Sequence, residues 1–304
     1  MPSVLAVGEV LWDVFPEGAQ FGGAPANFAC AVASLGGGDF HVAVASGVGE
    51  DDWGRRAVRS LADRNVDPRF VASVHDRPTG QVIVSRDDLH QPAYRFIENP
   101  AWDAIPSSPS LEDWARRADA LYFGTLGQRA EASRRTIREL VGMANPVALR
   151  VCDVNIRPPH ATAEVILDSL AMANIVKLNE DELPIVSRLL GLGGSTDDRI
   201  RALMTRYSLR ALALTCGAAG SRIVRADGAS FGIPAMTVTV ADPVGAGDAY
   251  TAALVIGWLR GWPVERIGRW AATVSAYVCT QRGGTPVFPE PLRADVAEQS
   301  ATPE

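Results

Sequence analysis

Lysine is almost missing from this chain. Of 29 basic residues only Lys177 is a lysine, and it sits in Ile175-Val176-Lys177-Leu178-Asn179-Glu180 rather than behind a glycine loop. That position excludes a P-loop lysine and the lysine and glycine-loop pair of protein kinases. Cysteine is equally sparse. Cys30, Cys152, Cys216 and Cys279 are far apart in apolar surroundings with no C-x-x-C pair, which reads as reduced core thiols rather than bridges or zinc ligands. His41, His75, His90 and His160 show no metal-ligand spacing. A net charge of −6 provides no basic field for nucleic acid or anionic lipid. No apolar run reaches membrane-spanning length, and the opening residues Met1 to Gly8 lack a basic region and a cleavage site, so the expectation is a cytoplasmic protein without membrane or nucleic-acid partners. Gly47-Val48-Gly49-Glu50-Asp51-Asp52 approaches a dinucleotide fingerprint, but Asp52 occupies the place of the third glycine.

What is present is apolar residue in quantity. With 304 residues, 47% of them hydrophobic, and no Pro/Ser/Gly-rich linker, the chain is expected to form one main domain over residues 1–304. Apolar runs at Val4 to Val10, His41 to Ser46, Ala120 to Gly124, Val147 to Asp153, Asn174 to Leu178 and Ala211 to Thr215 read as buried strands. Helical patterns fall between most of them, at Pro25 to Leu35, Trp53 to Arg64, Ala130 to Met143, Thr162 to Ala173, Asp181 to Leu190 and Asp197 to Tyr207. This alternation predicts an α/β fold with a mainly parallel central sheet. Further strands are expected at Ser221 to Arg225 and Met236 to Val240, then helices at Ala246 to Arg260 and Val264 to Gln281, and a frayed polar tail over 291–304. Two regions, about 12–21 and 80–102, break the alternation. Within the second, Gln81 to Ser85 and Ala93 to Ile97 read as strands around a polar turn, either a small separate sheet or an edge hairpin of the main one.

The most informative stretch is Asp242-Pro243-Val244-Gly245-Ala246-Gly247-Asp248, which runs directly into the helical pattern Ala249 to Leu254. Small residues at a helix start bring unpaired N–H groups and the positive dipole end close to a ligand, which favours an anion. Asp248 places a carboxylate in that cradle. This suits taking a proton from a hydroxyl beside a migrating phosphoryl group, although a glycine turn with an ordinary acidic first turn gives the same letters.

The flanks of this stretch resemble the C-terminal signature of the ribokinase-like (PfkB) carbohydrate kinases. Gly22-Gly23-Ala24-Pro25-Ala26-Asn27-Phe28-Ala29, followed by Ala33-Ser34-Leu35-Gly36, resembles their N-terminal sugar-binding signature, and the likeness runs from Gly8 to about Pro289. The resemblance implies a ribokinase-like three-layer sandwich whose 12–21 and 80–102 segments form a small β-sheet lid. It also implies an ATP-dependent sugar kinase that pairs as a homodimer through that lid.

The site residues it implies are as follows. Asp248 acts as base, and the backbone of Gly245, Ala246 and Gly247 holds the phosphoryl charge. Arg157 and Asn155, in Asp153-Val154-Asn155-Ile156-Arg157 at a strand end, contact sugar or transferring phosphate. Asp13, Gly22, Gly23 and Asn27 bind the sugar, with Trp12 and Phe15 offering apolar faces beside Asp13. Asn179 and Glu182 stand near Mg2+ and the nucleotide phosphates through water, while Thr215, Gly217 and Gly220, in Thr215-Cys216-Gly217-Ala218-Ala219-Gly220, form the nucleotide loop. Asp242, Val244, Cys279, Arg282 and Gly284 match a monovalent cation (K+) site, although Pro243 stands where Thr is usual, and Tyr250 where Phe is usual. An ordinary carboxylate pKa of about 4 is expected to suffice for Asp248, because a loose transition state leaves the hydroxyl proton in place until late. The wording of Gly8 to Pro16, Ala101 to Asp103, Phe123 to Arg129 and Asp153 to Pro159 resembles fructokinases, which points to D-fructose. A 2-keto-3-deoxygluconate kinase using Tyr94 or Arg95, a ribokinase, and a non-catalytic sugar sensor remain alternatives on the same scaffold.

Overall fold

The computed structural model describes residues 1–86 and 92–294; the side chains at 85, 86 and 92–94 lie outside the description. The strands are β1 (Ser3–Val7), β2 (Leu11–Phe15), β3 (Gly18–Gly22), β4 (His41–Gly49), β5 (Asp67–Val74), β6 (Gly80–Arg86), β7 (Pro92–Phe96), β8 (Ala120–Gly124), β9 (Leu149–Asp153), β10 (Ile175–Asn179), β11 (Ala211–Thr215), β12 (Ser221–Arg225) and β13 (Ser230–Ile233). The α-helices are α1 (Ala24–Leu35), α2 (Asp52–Ala62), α3 (Pro109–Arg117), α4 (Glu131–Met143), α5 (Ala163–Met172), α6 (Glu182–Leu189), α7 (Thr196–Arg206), α8 (Ala246–Leu259) and α9 (Val264–Cys279).

Nine strands form one sheet in the order β13-β12-β11-β10-β9-β8-β1-β4-β5. Pairing is parallel from β11 through to β5 and antiparallel only where β12 and β13 extend the edge. Alternation along β1 shows why the sheet is covered on both faces. Val4 and Ala6 enter the core made with α1, α2, α8 and α9, while Leu5 and Val7 enter the opposite core, made with α3 to α7. Helix α8 is buried along its length from Asp248 to Gly257 and packs between α1 and α9. Strand β1 pairs in parallel with β4 on one side and β8 on the other, so the chain order switches direction at its C-terminal end. Open α/β sheets present a crevice at that point.

The four remaining strands form a separate sheet, β3-β2-β6-β7, in which Leu11, Val82 and Val84 pack with Phe15 and Phe96. The small separate sheet that the resemblance implies is therefore present, and the edge-hairpin alternative is not. Its root is fixed to the main body. The Trp12 indole donates to the Trp53 carbonyl (3.1 Å), and the Arg56 guanidinium lies 4.6 Å from the Trp12 ring centroid and 4.7 Å from that of Trp53.

The structure corrects several boundaries. The apolar run from Val4 to Val10 breaks at Val7, and Met236 to Val240 forms no strand: Met236 and Val240 are exposed and no described strand pairs with them. Edge strand β5 and helix α3 have no counterpart among the expected elements; β5 is only half-buried and its sequence shows no apolar run. The tail stays packed to Ala294, which is fully buried, and the Trp270 indole donates to the Leu292 carbonyl at 3.0 Å. Residues 295–304 lie outside the described residues.

Asp51 ties the lid root to α2. Its Oδ1 accepts from the Gly54 N–H (2.8 Å) and the Thr79 hydroxyl (2.6 Å), and its Oδ2 from the Thr79 N–H (2.8 Å), just before β6. Burial works against its ionisation, but these hydrogen bonds from Thr79 and Gly54 outweigh it and hold the carboxyl below its usual pKa. The stabilisation is therefore present above the ordinary carboxylate pKa and is lost as the pH falls through the depressed value. Asp51→Ala should cost about 2 kcal/mol and lower Tm at pH 7 by a few degrees, with the gap to wild type shrinking in acid. Equal melting of the two proteins at pH 7 would remove Asp51 as the tie.

Candidate active site

The crevice is a cleft of about 1530 Å³ between the C-terminal ends of the sheet strands and the lid. At its floor, α8 begins. Gly245 caps the helix with φ 80°, and a Cβ there would stand 2.5 Å from the Gly284 Cα, so both the backbone turn and the close loop contact require glycine. On the facing side Gly23 precedes α1 with φ 102°, where a Cβ would meet the Glu9 carbonyl at 2.4 Å. Pro25 fits the first turn of α1, where its missing N–H costs nothing. The two helix starts are joined by one hydrogen bond, from Asn27 Nδ2 to Asp248 Oδ2 at 2.8 Å.

Asp248 is 8% exposed. Burial, then the nearby Asp153 charge, raise its pKa to about 6 against the opposing pull of Asn27, Lys177 and Arg157. The expectation of an ordinary carboxylate is corrected accordingly: the sequence could not show how dry the position is. Asp13 is also raised to about 6, by burial and then by Asp242, with Arg157 acting the other way. Glu9, to which no motif gave a role, is buried in the same wall. Its Oε1 accepts from the Ala24 N–H (3.2 Å), its Oε2 has no hydrogen-bond partner among the described residues, and burial above all lifts its pKa to about 7.

Among the expected site residues, the cleft wall contains Asp13, Gly23, Asn27, Asn155, Arg157, Asn179, Thr215, Asp242, Val244, Gly245, Gly247, Asp248 and Arg282. Gly22 packs just behind, with a Cβ there reaching Asp13 Oδ2 at 3.2 Å. Three expectations change. Asn155 and Arg157 reach the wall from the loop after β9 and not from the strand end itself, because β9 stops at Asp153 and Asn155 has φ 40°. Trp12 faces away from the cleft against Phe21 and Trp53; strand alternation puts Leu11, Asp13 and Phe15 on the cleft side instead. The Ala246 N–H already donates to the Pro243 carbonyl (3.2 Å), so Gly245 and Gly247 are the members of the turn that face the cleft.

The expected metal residues are differently disposed. Asn179 Oδ1 accepts from the Glu182 and Asp181 N–H groups (2.9 and 3.0 Å), while the Glu182 carboxylate accepts from Asn179 N and Ile156 N, both at 2.8 Å. Burial raises the Glu182 pKa against the charge of Lys177. Glu182 therefore stands behind the wall as a reciprocal cap, and the pair fits a magnesium ion only through water. Among the described residues no group of three His, Cys, Asp or Glu side chains is placed to hold a metal. At the expected K+ site, Asp242 Oδ1 accepts from Val244 N and Oδ2 from Gly283 N, both at 3.0 Å, and the Cys279 carbonyl accepts from the Ala241 (2.8 Å) and Asp242 (3.2 Å) N–H groups. These bonds bring the two cation-site loops together, with Gly284 under Gly245. Of the nucleotide loop, Thr215 reaches the wall, and Gly220 packs on the Ile233 carbonyl. Tyr250 has a use for the hydroxyl that Phe lacks: it donates to Ser221 Oγ at 2.9 Å, joining α8 to that loop.

Chemically, the arrangement places a carboxylate of raised proton affinity and the amide-rich start of a buried helix in one small volume. Arg157 faces the same space. A hydroxyl donor and an anion can meet there.

Comparison with known proteins agrees with this geometry. The chain is 28% identical over 293 residues to a sugar kinase of Pyrococcus horikoshii, covering 93% of this chain and 88% of that one. It is 30% identical over 304 residues to a fructokinase of Salmonella typhimurium, covering 94% and 96%. The crystal structure of the Pyrococcus horikoshii kinase in complex with ATP superposes with a TM-score of 0.80 at 25% identity, over 96% of each chain. The pattern of the pfkB family of carbohydrate kinases matches residues 13–291, and the chain belongs to that family.

Proposed function

We propose that this carbohydrate kinase transfers the γ-phosphoryl group of ATP to the primary C6 hydroxyl of D-fructose. The observation that carries the reading is Asp248, held by Asn27 at the floor of the cleft in the first turn of α8, beside Gly245 and Gly247, which line the same cleft. The ATP complex of the Pyrococcus horikoshii relative supports the donor, and the fructokinase relatives support the acceptor. In this reading the sugar lies between Asp13, Asn27 and Asn155, with Phe15 against its C–H face. Asp248 takes the hydroxyl proton as the oxygen closes on phosphorus, and Arg157 and the Gly245 and Gly247 amides hold the moving negative charge. Mg2+ would supply charge neutralisation on the phosphates, held mainly by them, with Asn179 at the wall reaching its waters and Glu182 behind it holding Asn179 in place. K+ would rest against the Asp242 and Gly284 loops. Closure of the lid over the cleft removes water, the competing acceptor.

Arg95 also lines the cleft. It favours a second acceptor, the sugar acid 2-keto-3-deoxygluconate, whose carboxylate it would meet; the Tyr94 side chain lies outside the described residues. A panel of fructose, ribose and 2-keto-3-deoxygluconate with coupled ADP detection decides among these. The highest kcat/KM is expected on fructose, and ADP release with none of the three would reject the reading.

Asp248→Asn should lower kcat by at least about 1000-fold with ATP binding retained; near-wild-type turnover would remove the base. In the wild type, kcat/KM should fall tenfold per pH unit below about 6, the raised value for Asp248, because the protonated carboxyl cannot accept the hydroxyl proton. A limb near pH 4 would contradict the dry site.

Arg157→Ala should reduce kcat/KM for the sugar by about 100-fold and move the acid limb upward, since Arg157 lowers the proton affinity of both Asp13 and Asp248. Unchanged kinetics would take Arg157 out of the site.

Leu11, Val82 and Val84 face the cleft side of the lid sheet, and in our reading a second copy pairs with the opposite face, where Ile83 is half-buried. Sedimentation should give a dimer, which replacing Ile83 with Asp converts to a monomer; a monomeric wild type at high concentration would refute the pairing.

A further inference from the structure

Lys177 is the single lysine of the chain, it is 6% exposed, and it is buried at the cleft wall with no place in the mechanism above. Its Nζ lies 3.1 Å from Asp153 Oδ1. The other oxygen of that carboxylate, Asp153 Oδ2, lies 3.2 Å from Thr251 Oγ1, which is itself 3.0 Å from the Gly247 carbonyl. The same ammonium closes on Gly247 from a second direction: a Cβ there would stand 2.9 Å from Nζ. Asp153 ends β9, Lys177 is in β10, and Gly247 and Thr251 belong to the first turns of α8. Two sheet strands thus grip the start of α8 from below, at the residue between the two halves of the candidate chemistry.

We propose that Lys177 is a positioning residue: through Asp153 and Thr251 it seats the Gly247–Asp248 turn against the sheet, so that the base and the anion-binding amides face one acceptor oxygen. The proposal deepens the kinase reading given above and rests on it. A burial cost this high has few structural justifications. A buried ion pair is often no more stabilising than an apolar pair of the same volume, so its position at the one turn where a small displacement matters most is informative. A Cβ at Gly247 would stand close enough that the ammonium would have to shift.

The pair sits within a charged surround. Asp153, Glu182 and Asp248 all raise the proton affinity of Lys177 against its burial, and Tyr250 also interacts with it. Asp248 is in turn faced by Asp153, Lys177 and Arg157, by Asn27 through its hydrogen bond, and by Glu9 and Tyr122 from the side of β1 and β8. Removing the ammonium alone therefore moves the acid limb of activity to higher pH. Removing the ammonium together with the Asp153 charge takes away opposed influences and returns the limb toward its original place.

The test compares Lys177→Met, Asp153→Asn and the double variant K177M/D153N, reading kcat, sugar KM, the pH profile and Tm. The single Lys177→Met variant leaves a buried carboxylate without its partner and is expected to lose thermal stability; the double variant restores Tm and keeps the measurement meaningful. With sugar and ATP, Lys177→Met should lower kcat by about 100-fold with sugar KM within about threefold, and shift the acid limb upward. The decisive result is the double variant: limb and Tm recovered, kcat still about 100-fold down, because charge balance has returned but the grip on Gly247 has not. Recovery of kcat in the double variant would show that the pair only balances charge and would overturn the proposal, as would wild-type kcat in Lys177→Met. A wild type that phosphorylates none of the sugars overturns the kinase reading itself, and the positioning role with it; an active wild type separates the two.

Discussion

Everything at this site hangs on the single hydrogen bond that joins two helix starts, Asn27 on α1 to Asp248 on α8. It works under a constraint. A carboxylate at a buried helix start gains from the dipole and the amides around it but loses most of its hydration. Asp248 ends with a pKa near 6 because the loss is the larger influence and the Asp153 charge adds to it. For a proton acceptor that outcome is useful. The carboxylate remains ionised at neutral pH, yet it binds a proton more tightly than an exposed Asp would, which brings it closer to the range in which acid–base catalysis is effective.

The fold supplies the dryness and the rigidity together. The direction switch at β1 opens a crevice where strands on both sides point their C-terminal ends, and the buried helix α8 fills one side of it between α1 and α9. Both helix starts on that crevice use glycine for a reason of contact as much as of dihedral angle: Gly245 lies on Gly284, and Gly23 on the Glu9 carbonyl. The lid has its own apolar cluster and a root pinned by Trp12, Trp53 and Arg56 on one side and by Asp51 and Thr79 on the other. Its two anchor points lie next to β2 and β6, the central pair of that sheet.

How much of this the sequence announced depends on the range of the interaction. Strand and helix alternation was legible because each apolar run is buried on both faces of one sheet. The glycine turn into α8 was legible because its chemistry is local. Interactions between distant residues were not. Trp12 reads as a cleft residue until Trp53, 41 positions later, turns its ring away. Val238 and its neighbours have the composition of a strand, but Met236 and Val240 lie exposed and β13 remains the edge of the sheet among the described residues. Lys177 looked like a strand residue notable only for its rarity; its partner Asp153 is 24 residues earlier, and nothing in either neighbourhood signals the other. Glu9 lies within the Gly8 to Pro16 wording, but nothing there gives it a role of its own. A polar residue directly after an apolar strand at a glycine was the one available hint.

The carboxyls of the cleft also set a balance between stability and function. Glu9, Asp13 and Asp248 have raised proton affinities, so the folded chain binds protons more tightly than the unfolded one across the acid range. Their contribution to stability is fully present below the ordinary carboxylate pKa of about 4 and is lost as the pH rises through about 6 to 7. Asp51 acts in the opposite sense and on the opposite duty: its depressed carboxyl stabilises the lid root above its pKa. At neutral pH the structural carboxylate is therefore fully effective while the cleft carboxylates strain the fold. That strain is tolerated because the two cores on either face of the nine-stranded sheet are large, and it falls on the residues that a proton, a sugar hydroxyl or a cation would relieve.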